Sequence, residues 1–250
     1  MANWPDPQTQ QDPIGAARFG GALGGAQAER FDAGLRSYML SIYNYMASGV
    51  LLTGIVSVLF ASWSGAPAVL FGPGPLKYLV MFSPLAIVFA MSFGQGRFST
   101  STLKTLFWAY AGLMGVSLSS IFFVYTGTSI GQVFFATAAS FAGLSLWGYT
   151  TKKDLSGFGT FLIMGLIGIL VASVINIFLQ STAMGFAISV LGVLIFAGLT
   201  AYDTQKLKSM YAHVAGTPYE GKVVVMGALE LYLDFINMFL FLLRLFGNRD

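Results

Sequence analysis

The sequence predicts an all-α, polytopic membrane protein with seven transmembrane helices, and three observations predict it. Of 250 residues, 56% are hydrophobic and only 9% are charged, whereas a soluble domain carries about 25% charged residues. The few charges are also widely spaced. None falls between Arg36 and Lys77, Lys77 and Arg97, Lys104 and Lys152, or Asp154 and Asp203, leaving gaps of 40, 19, 47 and 48 residues. A spanning helix needs about 20 apolar residues, so these gaps have the lengths of one or two spans. The composition excludes a soluble globule, and it is too apolar for a chain disordered throughout. With no Cys, a disulfide framework, a thiolate metal site and a cysteine nucleophile are excluded as well.

Taken in order, residues 1–36 are rich in Gln, Gly and Ala with mixed charges and no apolar run, which predicts a mobile cytoplasmic tail rather than a cleavable signal. Residues 37–250 form the transmembrane domain. The 40-residue gap holds one span, 38–62, because Trp63-Ser64-Gly65-Ala66-Pro67 and Gly72-Pro73-Gly74-Pro75 interrupt any helix. The second span, 77–95, fills the next gap. Each longer gap holds two spans, 103–126 with 130–150 and 158–180 with 183–205, joined through Gly127-Thr128-Ser129 and Gln180-Ser181-Thr182. The seventh, 223–246, differs in carrying acids. Gly168/Ala172 and Gly185/Ser189 have the small-xxx-small spacing that suits close helix packing.

Orientation follows from the loops. Arg30, Arg36, Arg97, Lys104, Lys152, Lys153, Lys206, Lys208 and Lys222 fall on one side and Lys77 alone on the other. The positive-inside rule therefore puts the N-terminus and the 2–3, 4–5 and 6–7 loops in the cytoplasm. A seventh segment that spans fully carries Arg244 and Arg249 outside, against that rule; one that re-enters does not.

Chemistry is easiest to locate where polar groups meet lipid, since a charge at the bilayer centre costs at least ~2.5–3.5 kcal/mol. Glu230, Asp234 and Asn237 are spaced i, i+4, i+7 and share one helical face, with Asp234 roughly 16 Å along the segment from Val223. Asp203 closes span 6. Two carboxylates brought together away from water cannot both ionise easily, so one keeps its proton and the two titrate as a unit. Ionised, Asp203, Glu230 and Asp234 are the hard oxygen ligands that calcium prefers. The competing reading is that the acids merely cross-link helices. Asp203 and Asp234 reach the same depth only if helix 6 continues through Lys206 and Lys208 or if span 7 tilts.

Other chemistries are poorly served. The one His, His213, has no second His or Cys beside it for a metal. Ser145 lacks a partner His in any span, which argues against an intramembrane serine protease. Tyr202-Asp203 matches half of an intramembrane aspartyl protease motif, but the later acid sits in Leu233-Asp234-Phe235. No Lys lies within span 7 to hold retinal, and no Gly-rich phosphate loop is present. The sequence therefore predicts neither an enzyme nor a nucleic-acid binder, and no cofactor.

The stretch from Phe134-Phe-Ala-Thr-Ala-Ala-Ser-Phe to Gly148-Tyr-Thr-Thr-Lys-Lys-Asp-Leu-Ser-Gly-Phe-Gly resembles the Bax inhibitor-1 family, especially its bacterial branch. So do Met164-Gly-Leu-Ile-Gly, Phe196-Ala-Gly-Leu-Thr-Ala-Tyr-Asp-Thr-Gln-Lys and Ala228-Leu-Glu-Leu-Tyr-Leu-Asp-Phe-Ile-Asn. The resemblance covers about residues 30–246. It implies a bundle with the last helix central, an inner-membrane location and a pH-sensitive calcium leak. It also implies a di-aspartyl sensor, whose acids match Asp203 and Asp234 by motif context. An Arg that latches such a pair in the family has Arg97 as its candidate here. Some bacterial members instead modulate a membrane-anchored ATP-dependent protease, so an interaction protein is the alternative.

Overall fold

The computed structural model describes residues 13–249, with side chains from Glu29 onward. It contains eight α-helices among the described residues: α1 (Pro13–Ala61), α2 (Ala66–Phe71), α3 (Leu76–Gly94), α4 (Thr100–Leu118), α5 (Gly127–Thr150), α6 (Ser156–Leu179), α7 (Thr182–Val214) and α8 (Glu220–Phe246). All but the six-residue α2 are long and apolar enough to cross a membrane. α4 tightens into a 3₁₀ turn over Ser119–Phe123 before its chain reverses.

Two bounds differ from the sequence expectation. α1 begins at Pro13, inside the stretch expected as a tail; residues 1–12 of that tail lie outside the described residues. α7 runs on to Val214, past both Lys206 and Lys208. The cause is local: nothing between Asp203 and Val214 breaks a helix, and the charged stretch Asp-Thr-Gln-Lys-Leu-Lys consists mostly of good helix formers. Charge alone marks the apolar limit of a span but does not end its helix.

Ser and Thr side chains set the starts of three helices. Ser99 accepts from Thr102 N (3.1 Å), Thr126 from Ser129 N (3.2 Å) and Ser181 from Met184 N (3.3 Å), each satisfying a backbone donor that the first turn leaves unpaired.

α8 is the central helix. In its most apolar stretch 67% of residues are buried, against at most 33% for any other span. It packs on α7, α1, α5 and α4, while α3 lies chiefly on α4 and α6 chiefly on α7. Phe235 meets Phe134 and Phe141 with ring centroids 5.5 and 5.6 Å apart, and Phe241 stacks on Phe196 at 5.9 Å. These rings fill the space around α8 as aromatic pairs do in other cores.

α8 also spans the whole bundle rather than re-entering. Its start lies beside the α3–α4 loop, where Lys222 Nζ reaches Gln95 O and Gly96 O at 3.4 and 3.5 Å. Its end lies beside the α4–α5 turn: Thr126 N donates to Asn248 O (3.0 Å) and Asn248 N to Ser129 Oγ (2.9 Å). Those loops lie at opposite ends of α4.

The small-residue expectation needs correction at Gly168/Ala172, whereas Ser189 of the other pair is fully buried. A Cβ added at Gly168 meets nothing within 4 Å, so that position faces open space. The tight helix crossings lie elsewhere. A Cβ on Gly148 runs into the Ala201 backbone, and one on Gly115 comes 2.7 Å from Thr53 O. α5 therefore approaches α7, and α4 approaches α1, more closely than any side chain permits.

Candidate functional site

The extension of α7 places its acid. Asp203 lies eleven residues before Val214, about 16 Å along the helix, and Asp234 lies fourteen residues into α8, about 21 Å along it. The helices pack against each other, and each acid lies close enough to the other to feel its charge. Both residues are buried, at 9% and 4% exposure. Asp234 Oδ2 is fully enclosed and finds no donor among the described residues. Two carboxylates have only acceptors, so a hydrogen bond between them requires that one carry a proton.

Among the described residues, one cation pairs with this cluster. Lys206 Nζ lies 3.3 Å from Asp203 Oδ1 and 2.9 Å from Glu230 Oε2. The Lys206 and Glu230 side chains are 36% and 38% exposed, so the cluster grades from solvent-accessible at Glu230 to sealed at Asp234. Asn237, expected on the same face as the acids, turns its amide to its own helix and donates to Leu233 O (2.8 Å). It lines a cavity of about 500 Å³ beyond the acids, bounded also by Asn176 and Arg244. Along α8 the acids thus stand between a basic entrance and a largely apolar cavity at the opposite face that holds Asn176, Asn237 and Arg244.

Two sequence expectations change here. Arg97 is exposed in the turn after α3, and no ion pair joins it to the acids among the described residues. The cation at the acids comes from α7 itself, three residues beyond Asp203, where helical periodicity returns a side chain to the same face. Nor do Asp203, Glu230 and Asp234 gather into a metal cage: among the described residues no group of three or more His, Cys, Asp or Glu is placed to hold an ion. Lys206 occupies the space between Asp203 and Glu230.

The sequence reading missed the supporting polar contacts. Ser145 Oγ lies 2.5 Å from Tyr43 OH and 2.9 Å from Thr204 Oγ1, tying α1, α5 and α7 together one residue from Asp203. Gln205 grips the α5–α6 loop, accepting from Leu155 N and donating to Lys153 O, both at 2.8 Å. Lys208 Nζ donates to Tyr149 O (2.8 Å) and lies 4.7 Å from the Tyr149 ring centre. The Thr-Gln-Lys-x-Lys run after Asp203 was the available signal: polar residues on each face of a helical extension need partners on each side.

The fold and the site define an all-α polytopic membrane protein whose central helix shares a buried carboxyl pair with its neighbour. The comparisons place it further. Residues 35–250 match the family described as inhibitor of apoptosis-promoting Bax1, and the chain belongs to this Bax inhibitor-1 family. It is 46% identical to the inner membrane protein YbhL of Escherichia coli over 219 residues, 87% of this chain and 94% of that protein. An uncharacterized protein of Rickettsia prowazekii is 48% identical over 220 residues, covering 88% and 92% of the two chains. One from Caulobacter vibrioides is 47% identical over 229 residues, again 88% and 92%.

Proposed function

We propose that the protein is a pH-sensitive calcium leak of a bacterial inner membrane, with its N-terminus cytoplasmic and with Asp203 and Asp234 as the gate. The observation that carries this reading is the pair of facing, buried carboxyls on α7 and α8, one oxygen of which has no donor. Sharing one proton, the acids hold the two helices together. Without that proton they repel, and a gap opens between α7 and α8.

The charge balance favours a divalent passenger. Asp203, Glu230 and Asp234 supply three negative charges when ionised, and Lys206 offsets one. The residual charge of about −2 is what a calcium ion neutralises, and carboxylate oxygens are its preferred ligands. Calcium is cargo here, met transiently once the acids separate.

The decisive experiment is calcium flux into proteoliposomes over a pH series, for the parent chain and for Asp203→Asn and Asp234→Asn. The expected result is flux that rises with pH in the parent and loses its pH dependence in both variants. Parental midpoint and steepness in both variants would sink the gate. The acids would then be helix cross-links, and modulation of a membrane-anchored protease would become the better reading.

A further inference from the structure

Opposite the lysine-rich loops, the ends of α6, α7 and α8 enclose two adjoining cavities of about 500 and 410 Å³ that share Asn176 and Arg244 in their walls. The charged residues that line them are Arg244 and Arg249; no Asp or Glu does so among the described residues. Neutral hydrogen-bonding groups share the rest of the lining with apolar side chains; among them are Asn237 in the larger cavity and Gln180 and Thr182 in the smaller. Neither arginine is engaged in an ion pair among the described residues, and Arg249 lies 5.8 Å from the centre of the Tyr125 ring.

These two arginines are the cations that run against the charge bias of the loops. Because α8 crosses completely, it delivers them to the face where Lys77 is otherwise the loop cation. Insertion with positive charge on the translocated side is disfavoured, so their presence there calls for a compensating interaction. Gln180 adds a second anomaly. It occupies the left-handed conformation at φ 50°, where Gly or Asn is the usual residue, and it lines the cavity that Arg244 and Arg249 also line. Two arginines beside neutral polar side chains, with no carboxylate in the lining among the described residues, form a donor set that suits a phosphate group.

We infer that the cavities around Arg244 and Arg249 form an anion site on the outer face that takes a phosphate group, either of an anionic phospholipid headgroup or of a free phosphate. The site is separate from the Asp203–Asp234 gate, and its test reads binding rather than ion flux, so either reading can fail alone.

The test uses the full chain, delipidated in a neutral detergent, with unfolding temperature followed against inorganic phosphate at constant ionic strength balanced by chloride. The expected result is a saturable rise in unfolding temperature. Arg244→Gln should raise the half-saturating phosphate concentration at least about tenfold. Lys152→Gln, which removes the same charge from an exposed loop on the basic face, should leave it unchanged. Should Arg244→Gln fail to fold, Gln180→Gly keeps both arginines, suits the left-handed backbone and should still weaken the phosphate response. A second arm places the protein in phosphatidylcholine nanodiscs with or without phosphatidylglycerol. A phosphate response abolished by phosphatidylglycerol assigns the site to a lipid headgroup; one that persists assigns it to a soluble anion. Absence of any saturable shift with phosphate and with phosphatidylglycerol overturns the site. So does an equal loss in Arg244→Gln and Lys152→Gln.

Discussion

Lys206 on α7 and Glu230 on α8 form an ion pair at 2.9 Å, and the same ammonium reaches back 3.3 Å to Asp203 on its own helix. One lysine therefore couples the exposed end of the acid cluster to its buried end. Being about a third exposed, the pair contributes little to stability, on the order of 0–1 kcal/mol. Its consequence is electrostatic, because it supplies the positive charge that favours the ionised acids.

Replacing Lys206 by Met should therefore leave folding nearly intact and make the pair harder to deprotonate. Flux that opens on loss of a proton then requires a higher pH. The midpoint should move upward by on the order of one pH unit, the scale of removing a charge within contact distance. Proteoliposome flux measured at half-unit pH steps resolves such a shift, and a midpoint that stays in place rejects the coupling.

Arg97→Gln is the matched comparison. It removes the same formal charge from an exposed turn that makes no ion pair with the acids among the described residues. Screening over a Debye length of about 8 Å at physiological ionic strength leaves little field at the pair. The flux midpoint of this variant should match the parent. An upward shift comparable with that of Lys206→Met would mean that the α3–α4 turn closes over the acids in the gating cycle.

The orientation is open to direct chemistry because the chain has no Cys. Asn248→Cys and Thr217→Cys place single thiols at exposed positions beyond the two ends of α8. In intact cells an impermeant maleimide should label position 248 through the outer membrane pores, and should reach 217 only after the inner membrane is breached. The reverse pattern would invert the topology, and labelling of both from one side would contradict a full crossing by α8.

Close packing makes a stability prediction with a built-in control. Gly148→Val drives a side chain into the Ala201 backbone, where no flexible atom can yield, and overpacking of this kind costs about 1–3 kcal/mol or more. Gly168→Ala adds a methyl to open space within a helix and should be neutral or stabilising by up to about 1 kcal/mol. Unfolding of both variants in detergent checks the contrast. Equal behaviour of the two would remove the α5–α7 crossing as a constraint.

Much of this architecture is legible in the residues, for a physical reason. A bilayer imposes one length scale on every span, so the gaps from Lys104 to Lys152 and from Asp154 to Asp203 each resolve into a helical hairpin with little ambiguity. The acids are legible too, since Glu230 and Asp234 stand out in an apolar segment. What spacing does not supply is the partner of each group. The resemblance alone suggests Arg97, and that Lys206 reaches the acids instead depends on how far α7 extends beyond its apolar limit. The same holds for Gly148 and Gly168: both are glycines in apolar helices, and only the crossing of α5 with α7 distinguishes a packed position from an open one.

The gate makes the last prediction. If Asp203 and Asp234 share one proton when closed, the pair is a single titrating unit. Asn at either position retains the shape and hydrogen-bonding capacity of the side chain but removes its titration. Each single change should then flatten the pH dependence of calcium flux, and the double change should add little to either. In free-energy terms the two effects should be strongly non-additive, as expected for residues in one network. Glu230→Gln supplies the contrast. That residue is one turn nearer the basic face and about 38% exposed, so its loss should alter the concentration dependence for calcium more than the pH midpoint. Additive shifts from Asp203→Asn and Asp234→Asn would show that the acids titrate independently, and the shared-proton gate would have to be abandoned even if both residues affect flux.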